Sequence, residues 1–200
     1  VAIAQGGAEP IGLCEALVAQ RERLQPLKVF LGLSLSGVFQ PEHADTLKFE
    51  SYGALGRVFD LARTGQLDIH PVHYSALPRL FREGRISCDA VFLQMAEDDQ
   101  RGLSLGATSD YLIDAAQRAR VVVAEVNSEA PWTEDGGAAR GLRIDHFVRV
   151  SRPPAELPSR EPDAVERTLA GHAARYVEDG ATIQIGIGSI PDAILEALGD

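Results

Sequence analysis

Apolar residues recur along this chain in two alternating patterns. Short runs rich in valine, isoleucine, leucine and phenylalanine predict strands; they lie at residues 1–4, 28–33, 67–72, 90–95 and 120–126. Between them, apolar residues spaced three or four apart predict helices at residues 10–20, 55–64, 77–83 and 110–119. Near-continuous apolar strands that alternate with helices are typical of a parallel sheet covered on both faces. We therefore predict an α/β fold with an open, mostly parallel sheet covered by helices.

A proline-rich stretch interrupts this alternation. The segment "SRPPAELPSREP" at residues 151–162 contains four prolines, and prolines at this density exclude a helix interior or a central strand. We predict an N-terminal α/β domain over residues 1–150, a linker over residues 151–162, and the beginning of a second, similar α/β domain over residues 163–200.

The segment after the linker has its own pattern. Residues 163–179 predict a helix that ends at Gly180. The final stretch, "TIQIGIGSIPDAILEALGD", predicts a strand over residues 182–185, a glycine loop and a helix. Such a unit usually opens an α/β domain.

The beginning and the end of the chain repeat one another. Residues 2–17 align with residues 183–198 without a gap and share five identities. The matched positions are Gly7 with Gly188, Pro10 with Pro191, and residues 15–17 with residues 196–198. The repeat predicts the same strand, glycine loop and helix in both segments. Convergence of two strand-to-helix turns is the alternative explanation.

Charge, apolar runs and cysteine content limit the classes of ligand and partner that we expect for this protein. The chain has 19 Lys and Arg against 29 Asp and Glu, for a net charge of −10, which argues against nucleic-acid binding. The sequence has no apolar run of membrane-spanning length and no signal-peptide pattern, so we expect a cytoplasmic protein that does not bind membranes. Cys14 and Cys88 stand alone, and we expect no metal site.

The glycine loop "GIGSIPD" at residues 186–192 is the first candidate for chemistry. Its glycines let a ligand approach the main chain, and its amides lie where a helix N-terminus favours negative charge. The chain has no Lys or Arg after Arg175, and Asp192 falls in the first helical turn. We therefore favour an oxyanion or a thioester carbonyl over a phosphate. Close strand–helix packing is the alternative, since Gly-x-Gly alone is a weak signal.

Four polar residues lie at or just after the ends of predicted strands. His73 and Ser75 follow the third predicted strand, Gln94 lies in the fourth, and Asn127 follows the fifth. Because ligands bind at the carboxyl ends of parallel strands, we predict that these four residues gather at one edge of the N-terminal sheet and position a substrate. Ser75 lacks the Gly-x-Ser-x-Gly surroundings of a nucleophile, and helix capping is the alternative for it.

Several segments, taken in order, resemble the acetyl-CoA hydrolase/transferase family. This is the branch of the class I CoA-transferases that includes acetate- and 4-hydroxybutyrate-utilising members. The segments are "PVHYSALPRLFREGRISCDAVFLQ" at residues 71–94, "GLSLGATSDY" at 102–111, "VVVAEVNSEAPWT" at 121–133, "IDHFVRVSRP" at 144–153 and "IQIGIGSIPDAILEAL" at 183–198. The resemblance implies two α/β halves that face one another across an active site.

The resemblance also implies a mechanism. In this family a glutamate attacks the acyl-CoA thioester, and a glutamyl-CoA thioester then passes CoA to a second carboxylate or is hydrolysed. That glutamate lies beyond the glycine loop, so we expect it downstream of Asp200 and no catalytic residue within this chain. Carried over, the residues that contact CoA and help hold the oxyanion are Gly186, Ile187, Gly188, Ser189 and Ile190.

Coenzyme A, an acyl-CoA and a small carboxylate are the ligands that the resemblance implies, and no metal is implied. The sequence does not determine the acyl group, the acceptor, or whether the thioester is hydrolysed or its CoA transferred. It also leaves the oligomeric state open, including whether the protein forms a homo-oligomer. One alternative function is a noncatalytic CoA-binding or assembly module made of the N-terminal domain. Another is a sugar-phosphate isomerase of related fold, which would need basic phosphate ligands near its glycine loop.

Overall fold

The structure, a computed structural model, describes residues 1–158 and 160–199. It divides the chain into two compact units, Val1–Glu156 and Leu157–Asp200. The strands of the first unit are β1 (Ala2–Ile3), β2 (Leu27–Leu31), β3 (Leu47–Ser51), β4 (Leu67–Ile69), β5 (Ala90–Asp98), β6 (Gly102–Ser104), β7 (Val121–Asn127) and β8 (His146–Val150). Its α-helices are α1 (Ile11–Ala19), α2 (Arg21–Leu24), α3 (Val58–Arg63), α4 (Leu77–Arg82) and α5 (Leu112–Arg118). The second unit contains α6 (Ala164–Ala174) and α7 (Ser189–Gly199).

The sheet of the first unit has the order β4-β3-β2-β1-β5-β7-β8, and β6 pairs with β5 off this path. Every neighbouring pair along the path is parallel, and only the β5–β6 pair is antiparallel. The predicted α/β fold with an open, mostly parallel sheet is therefore confirmed. The chain runs from central β1 outward to β4 and then returns to β5 on the other side of β1. The strand order consequently reverses between β1 and β5.

Two apolar clusters cover the two faces of the sheet. The larger one contains side chains of α4 and α5, such as Leu77 and Ala115, and the smaller one contains side chains of α1 and α3, such as Leu17 and Leu61. Successive residues of a strand point to opposite faces. Strand β5 shows how this period of two divides the core, because Val91 and Leu93 belong to the larger cluster while Phe92 packs against the smaller one.

Two strands of the path were not predicted. Strand β3 has the sequence "LKFES", and β8 has the sequence "HFVRV". Polar or charged residues interrupt the apolar residues of both strands, whereas the prediction relied on continuous apolar runs. These polar residues follow from exposure: in β3, Lys48 faces solvent between the buried Leu47 and Phe49, and β8 is the exposed last strand of the sheet.

Helix α6 of the second unit begins at a capping box. The Asp163 carboxylate accepts hydrogen bonds from the Val165 and Glu166 amides, both at 2.9 Å. In return, the Glu166 carboxylate accepts one from the Asp163 amide at 2.8 Å. These bonds satisfy amide groups that a helix N-terminus otherwise leaves without partners. The helix ends at Ala174, earlier than the predicted residue 179.

The predicted strand at residues 182–185 is wrong, because the structure has no regular secondary structure there. A strand is stabilised by hydrogen bonds to a neighbouring strand, and the second unit contains no strand among residues 157–158 and 160–199. The two ends of the chain therefore share a glycine loop followed by a helix, but only the first end has the strand that the repeat predicts. Pro191 is the third residue of α7, still within the first turn, where its missing N–H costs little.

Across the residues that the structure describes, no helix combines the length and the apolar character that crossing a membrane requires.

Candidate active site

The reversal of strand order places a candidate site at the carboxyl ends of β1 and β5. Open α/β sheets bind ligands at this kind of position. After β1 the chain makes a short 3₁₀ turn at Gly6–Ala8 and then enters α1. The Gln94 side chain of β5 donates a hydrogen bond from Nε2 to the Gly7 carbonyl at 2.9 Å. The turn is therefore fixed to the neighbouring strand across the point of reversal.

Two of the four predicted site residues come together here. Asn127, at the end of β7, donates a hydrogen bond from Nδ2 to Gln94 Oε1 at 2.9 Å and another to the Arg152 carbonyl at 2.8 Å. Its Oδ1 accepts a hydrogen bond from the Arg152 amide. Gln94 and Asn127 are both buried, and these bonds join their side chains to each other and to the main chain. Gln94 holds the loop at Gly7, and Asn127 holds Gln94. Their proposed role is therefore to position a substrate indirectly, through that loop.

The other two predicted residues lie elsewhere. His73 immediately precedes the 3₁₀ turn at Tyr74–Ala76, which contains Ser75, and both residues are exposed. This turn follows β4, and three strands separate β4 from β5 in the sheet. The four residues consequently do not form one group in contact. Sequence order assigned each of them to a carboxyl end, but the strand order that separates the two pairs is a tertiary property.

A cluster that the sequence analysis missed connects these two places. Gln5, two residues after the end of β1, accepts hydrogen bonds at Oε1 from the Leu33 amide at 3.0 Å and from the Tyr52 hydroxyl at 2.9 Å. Its Nε2 donates to the Tyr74 hydroxyl at 3.0 Å. The rings of Tyr52 and Tyr74 pack edge to face against each other and against Tyr111. We call Gln5, Tyr52, Tyr74 and Tyr111 the tyrosine cluster.

Asp110 adds a titratable group beside the tyrosine cluster. Its Oδ1 accepts a hydrogen bond from the Leu112 amide at 2.8 Å, whereas its buried Oδ2 has no hydrogen-bond partner among the described residues. Burial raises the pKa of Asp110 to about 6, although the Leu112 amide and the Gln5 side chain lower it in part. The Asp110 charge in turn helps burial raise the pKa values of Tyr74 and Tyr111, so these hydroxyls keep their protons.

Replacing Asp110 with Asn is expected to stabilise the first unit at high pH. The pKa of Asp110 is higher in the folded protein, at about 6, than its ordinary value of 3.8. The folded state therefore retains this proton while the unfolded chain releases it, and the free energy of unfolding falls as the pH rises through this window. Asn keeps the acceptor for the Leu112 amide and has no charge to desolvate. We expect Asp110→Asn to raise the free energy of unfolding by about 1–3 kcal/mol at pH 8 and to change it little at pH 4.

Urea unfolding followed by tryptophan fluorescence measures this difference, because Trp132 is the single tryptophan of the chain and lies in the first unit. Comparing the variant with the wild type at each pH cancels the titration of other carboxylates. A variant that is less stable than the wild type at pH 8 would contradict the expectation.

Two further buried carboxylates flank α1. Glu9 accepts hydrogen bonds from the Leu35 and Ser36 amides, both at 2.8 Å, and Glu125 accepts one from the Leu13 amide at 2.8 Å. Burial raises the pKa of each carboxyl, and these donors lower it in part. Glu9 therefore joins the segment before α1 to the loop after β2, and Glu125 joins α1 to β7. That neither of them is the nucleophile stays a prediction.

Gly32, at the carboxyl end of β2, provides the space that Gln5 occupies. A Cβ at this position would overlap Gln5 Oε1 and would lie 2.9 Å from Gln5 Cβ and 2.8 Å from Tyr111 Oη. We expect Gly32→Ala to lower the free energy of unfolding by about 1–3 kcal/mol, the usual cost of overpacking, because it displaces the side chain that links β1 to the tyrosines. Urea unfolding is again the measurement. Gly141→Ala is the control, since nothing lies within 4 Å of its added Cβ; equal stability of the two variants would contradict the expectation.

The glycine loop, described within the second unit alone, precedes α7. Gly188 has a φ of +137°, a conformation that L-residues with a side chain rarely adopt. The Ser189 hydroxyl donates a hydrogen bond to Glu166 Oε1 at 2.7 Å and accepts one from Arg160 Nη2 at 2.8 Å. The Ile187 side chain is 70% exposed. Helix α6 and the segment before it thus hold the start of α7, while the residue before Gly188 faces solvent.

Arg160 is a second residue that the sequence analysis missed. Arg160 precedes the glycine loop by the whole of α6, so no pattern in the sequence next to the loop reveals this cation. The Arg160 guanidinium also forms an ion pair with Glu166, and Ser189, the Asp163 amide and Arg160 together lower the pKa of Glu166 to about 2. This cation is therefore paired with a local carboxylate, and the preference for an oxyanion or carbonyl over a phosphate stands as a prediction.

Comparison with known proteins identifies relatives of the whole chain. Residues 1–151 match the acetyl-CoA hydrolase/transferase N-terminal domain family. A 4-hydroxybutyrate coenzyme A transferase of Clostridium kluyveri is 32% identical over 198 residues, which are 98% of this chain and 46% of that protein. A succinyl-CoA:acetate/propanoyl-CoA:succinate CoA transferase of Fasciola hepatica is 35% identical over 136 residues, which are 67% of this chain and 28% of that protein.

Solved structures give a concordant result. RipA from Yersinia pestis matches 100% of this chain and 49% of its own chain, with a TM-score of 0.86 and 25% identity. A 4-hydroxybutyrate CoA-transferase from Porphyromonas gingivalis matches 98% of this chain and 46% of its own, with a TM-score of 0.67 and 25% identity. The chain therefore spans less than half of the length of these relatives.

Proposed function

The chain belongs to the acetyl-CoA hydrolase/transferase family, and from that premise we propose that it is the N-terminal part of an acyl-CoA hydrolase or CoA-transferase. The proposed substrate is acetyl-CoA or a similar short acyl-CoA, and the proposed acceptor is a small carboxylate or water. The match of residues 1–151 to the family carries this proposal. The identity of the Clostridium kluyveri relative extends over both units of the chain, which supports the same assignment for the second unit.

The proposed mechanism proceeds through a glutamyl-CoA thioester. A glutamate downstream of Asp200 attacks the thioester carbonyl and displaces the CoA thiolate, which then attacks the glutamyl carbonyl of the resulting mixed anhydride. The original acyl group leaves as its carboxylate, and glutamyl-CoA remains. An acceptor carboxylate takes CoA from glutamyl-CoA by the reverse of these steps, whereas water hydrolyses it to free CoA and the glutamate. Covalent catalysis of this kind divides one exchange into two easier steps. The buried carboxylates of the first unit bind main-chain amides of the same unit, which supports a nucleophile outside this chain.

The glycine loop is the proposed contact with CoA. Residues 186–190 precede or begin α7, and Gly188 has a backbone conformation that favours glycine. A main chain without side chains at residues 186 and 188 is accessible to a thioester, and amides at a helix N-terminus stabilise negative charge on its oxygen. The Ser189 hydroxyl binds Arg160 and Glu166; its proposed role is therefore to fix the loop. Residues 163–200 are proposed to begin the second α/β domain.

Product analysis tests the proposal on the full-length protein. Acetyl-CoA is supplied with butyrate, 4-hydroxybutyrate or no acceptor, and free CoA and new acyl-CoA are measured by mass spectrometry. New acyl-CoA establishes transfer, and free CoA without an acceptor establishes hydrolysis. CoA binding with neither product would favour the noncatalytic CoA-binding module, and the absence of both binding and turnover would contradict the proposal.

A further inference from the structure

The Tyr74 hydroxyl has a hydrogen-bond direction that its neighbours determine. Gln5 Oε1 faces the Leu33 amide at 3.0 Å, and a main-chain N–H can only donate, so this atom of the Gln5 side chain must be the oxygen. The other amide atom is then Nε2, a donor, and it lies 3.0 Å from Tyr74 Oη. Tyr74 therefore accepts a hydrogen bond from Gln5, and its own hydroxyl hydrogen is not used in that bond.

The Tyr74 ring is fixed in place although it is exposed. Its centroid lies 5.4 Å from that of Tyr52 and 5.8 Å from that of Tyr111, both in edge-to-face geometry, which is a favourable arrangement for aromatic pairs. The residue is nevertheless 46% exposed. Within residues 1–158 and 160–199, its hydroxyl makes one side-chain hydrogen bond, the one from Gln5. The cluster thus fixes the position of a hydroxyl whose own hydrogen is donated to no group among these residues, on a side chain that is partly exposed near the carboxyl end of β4.

We propose that Tyr74 is a substrate-binding residue whose hydroxyl donates a hydrogen bond to the carbonyl oxygen of the acyl group of an acyl-CoA. This inference rests on the proposed function and adds a residue and a contact that the sequence analysis did not assign. The proposed contact lies on the residue between His73 and Ser75, because the Tyr74 side chain is the one hydrogen-bonded to Gln5 after β1.

A neutral carbonyl suits this position better than a free carboxylate. Asp110 lies close enough to Tyr74 for its charge to raise the pKa of the Tyr74 hydroxyl, in addition to the effect of burial. The same charge repels a carboxylate ion and has a much smaller effect on an uncharged thioester oxygen. The substrate class is therefore the acyl thioester itself, before CoA is transferred.

Tyr74→Phe tests this contact on the full-length protein, because it removes the hydroxyl and keeps the ring that packs against Tyr52 and Tyr111. The probes are acetyl-CoA and S-ethyl-CoA, a thioether of similar shape that lacks the carbonyl. We expect kcat/KM for acetyl-CoA to fall about tenfold, as for the loss of one hydrogen bond. The inhibition constant of S-ethyl-CoA should change by less than about twofold.

Tyr176→Phe is the matched control, since Tyr176 is 89% exposed and lies in the second unit; it should change neither constant. Equal loss for both probes, or no loss for acetyl-CoA, would overturn the role of Tyr74 while the proposed function stands. A wild-type protein that neither turns over acetyl-CoA nor binds S-ethyl-CoA would refute the proposed function, and the Tyr74 inference with it.

Discussion

The 200-residue chain by itself is expected neither to hydrolyse acetyl-CoA nor to transfer its CoA, whereas a longer protein that includes the proposed downstream glutamate should do at least one of these. The glycine loop offers hydrogen-bond donors, but electrostatic stabilisation without a nucleophile leaves no path through a covalent intermediate. The carboxylates Glu9 and Glu125 bind main-chain amides of the first unit and are not expected to replace that nucleophile. We therefore expect measurable turnover from the longer protein and none from the 200-residue chain.

Trapping the intermediate locates the nucleophile. Both proteins are incubated with acetyl-CoA and treated with borohydride, which reduces a glutamyl thioester to an alcohol, and peptides are then mapped by mass spectrometry. The longer protein should carry the modification at a glutamate downstream of Asp200, and the 200-residue chain should carry none. Robust thioester turnover by the 200-residue chain would contradict the assignment, because one of its own residues would then have to be the nucleophile.

Gly188→Val in the longer protein is expected to lower kcat/KM for acetyl-CoA by about a hundredfold or more, the usual effect of losing an oxyanion donor. Gly188 has a φ of +137°, which a β-branched residue adopts only with strain. Valine would therefore shift the backbone of the loop, and its methyl groups would obstruct the approach of a thioester to the main chain. Steady-state kinetics with acetyl-CoA measures the loss.

Gly180→Val separates loss of the loop from general backbone strain. Gly180 lies before the loop, also has a positive φ, of +81°, and has nothing within 4 Å of an added Cβ. The control should share the strain and retain kcat/KM within severalfold of the wild type. If both variants lost activity equally, backbone strain alone would explain the loss in Gly188→Val, and the proposed contact between the glycine loop and CoA would be wrong.

The fold was predictable from the sequence wherever burial is uniform. Strands β5 and β7 are buried on both faces and read as continuous apolar runs, so the prediction located them closely. Strands β3 and β8 contain charged residues at solvent-facing positions and were missed for that reason. The strand at residues 182–185 was predicted from its apolar residues alone, although pairing with another strand is also required.

The candidate site was predictable only in part, because hydrogen bonding depends on which strands are neighbours. Gln94 and Asn127 come together because β5 and β7 are adjacent both in the sheet and, apart from short β6, among the strands of the chain. Gln5 joins Tyr52 and Tyr74 across segments far apart in the sequence, and no local pattern reports such a contact. One local signal did exist: Gln5 directly follows the first predicted strand, the same position that singled out Asn127 after its own strand.

The central position of β1 also has a consequence for the order in which the protein folds. Ala2 pairs with Phe30 on one side and with Val91 on the other, and the second pairing closes a much longer loop, at a greater cost in chain entropy. On a ribosome, β1 to β4 can associate before β5 has been synthesised. The half-sheet that forms first then exposes the edge of β1 until β5 arrives. The pairing of β1 with β5, at whose carboxyl ends the candidate site lies, is therefore expected to be a late step of folding. Until it forms, the exposed edge of β1 is the part of the nascent chain that most needs protection from wrong strand partners.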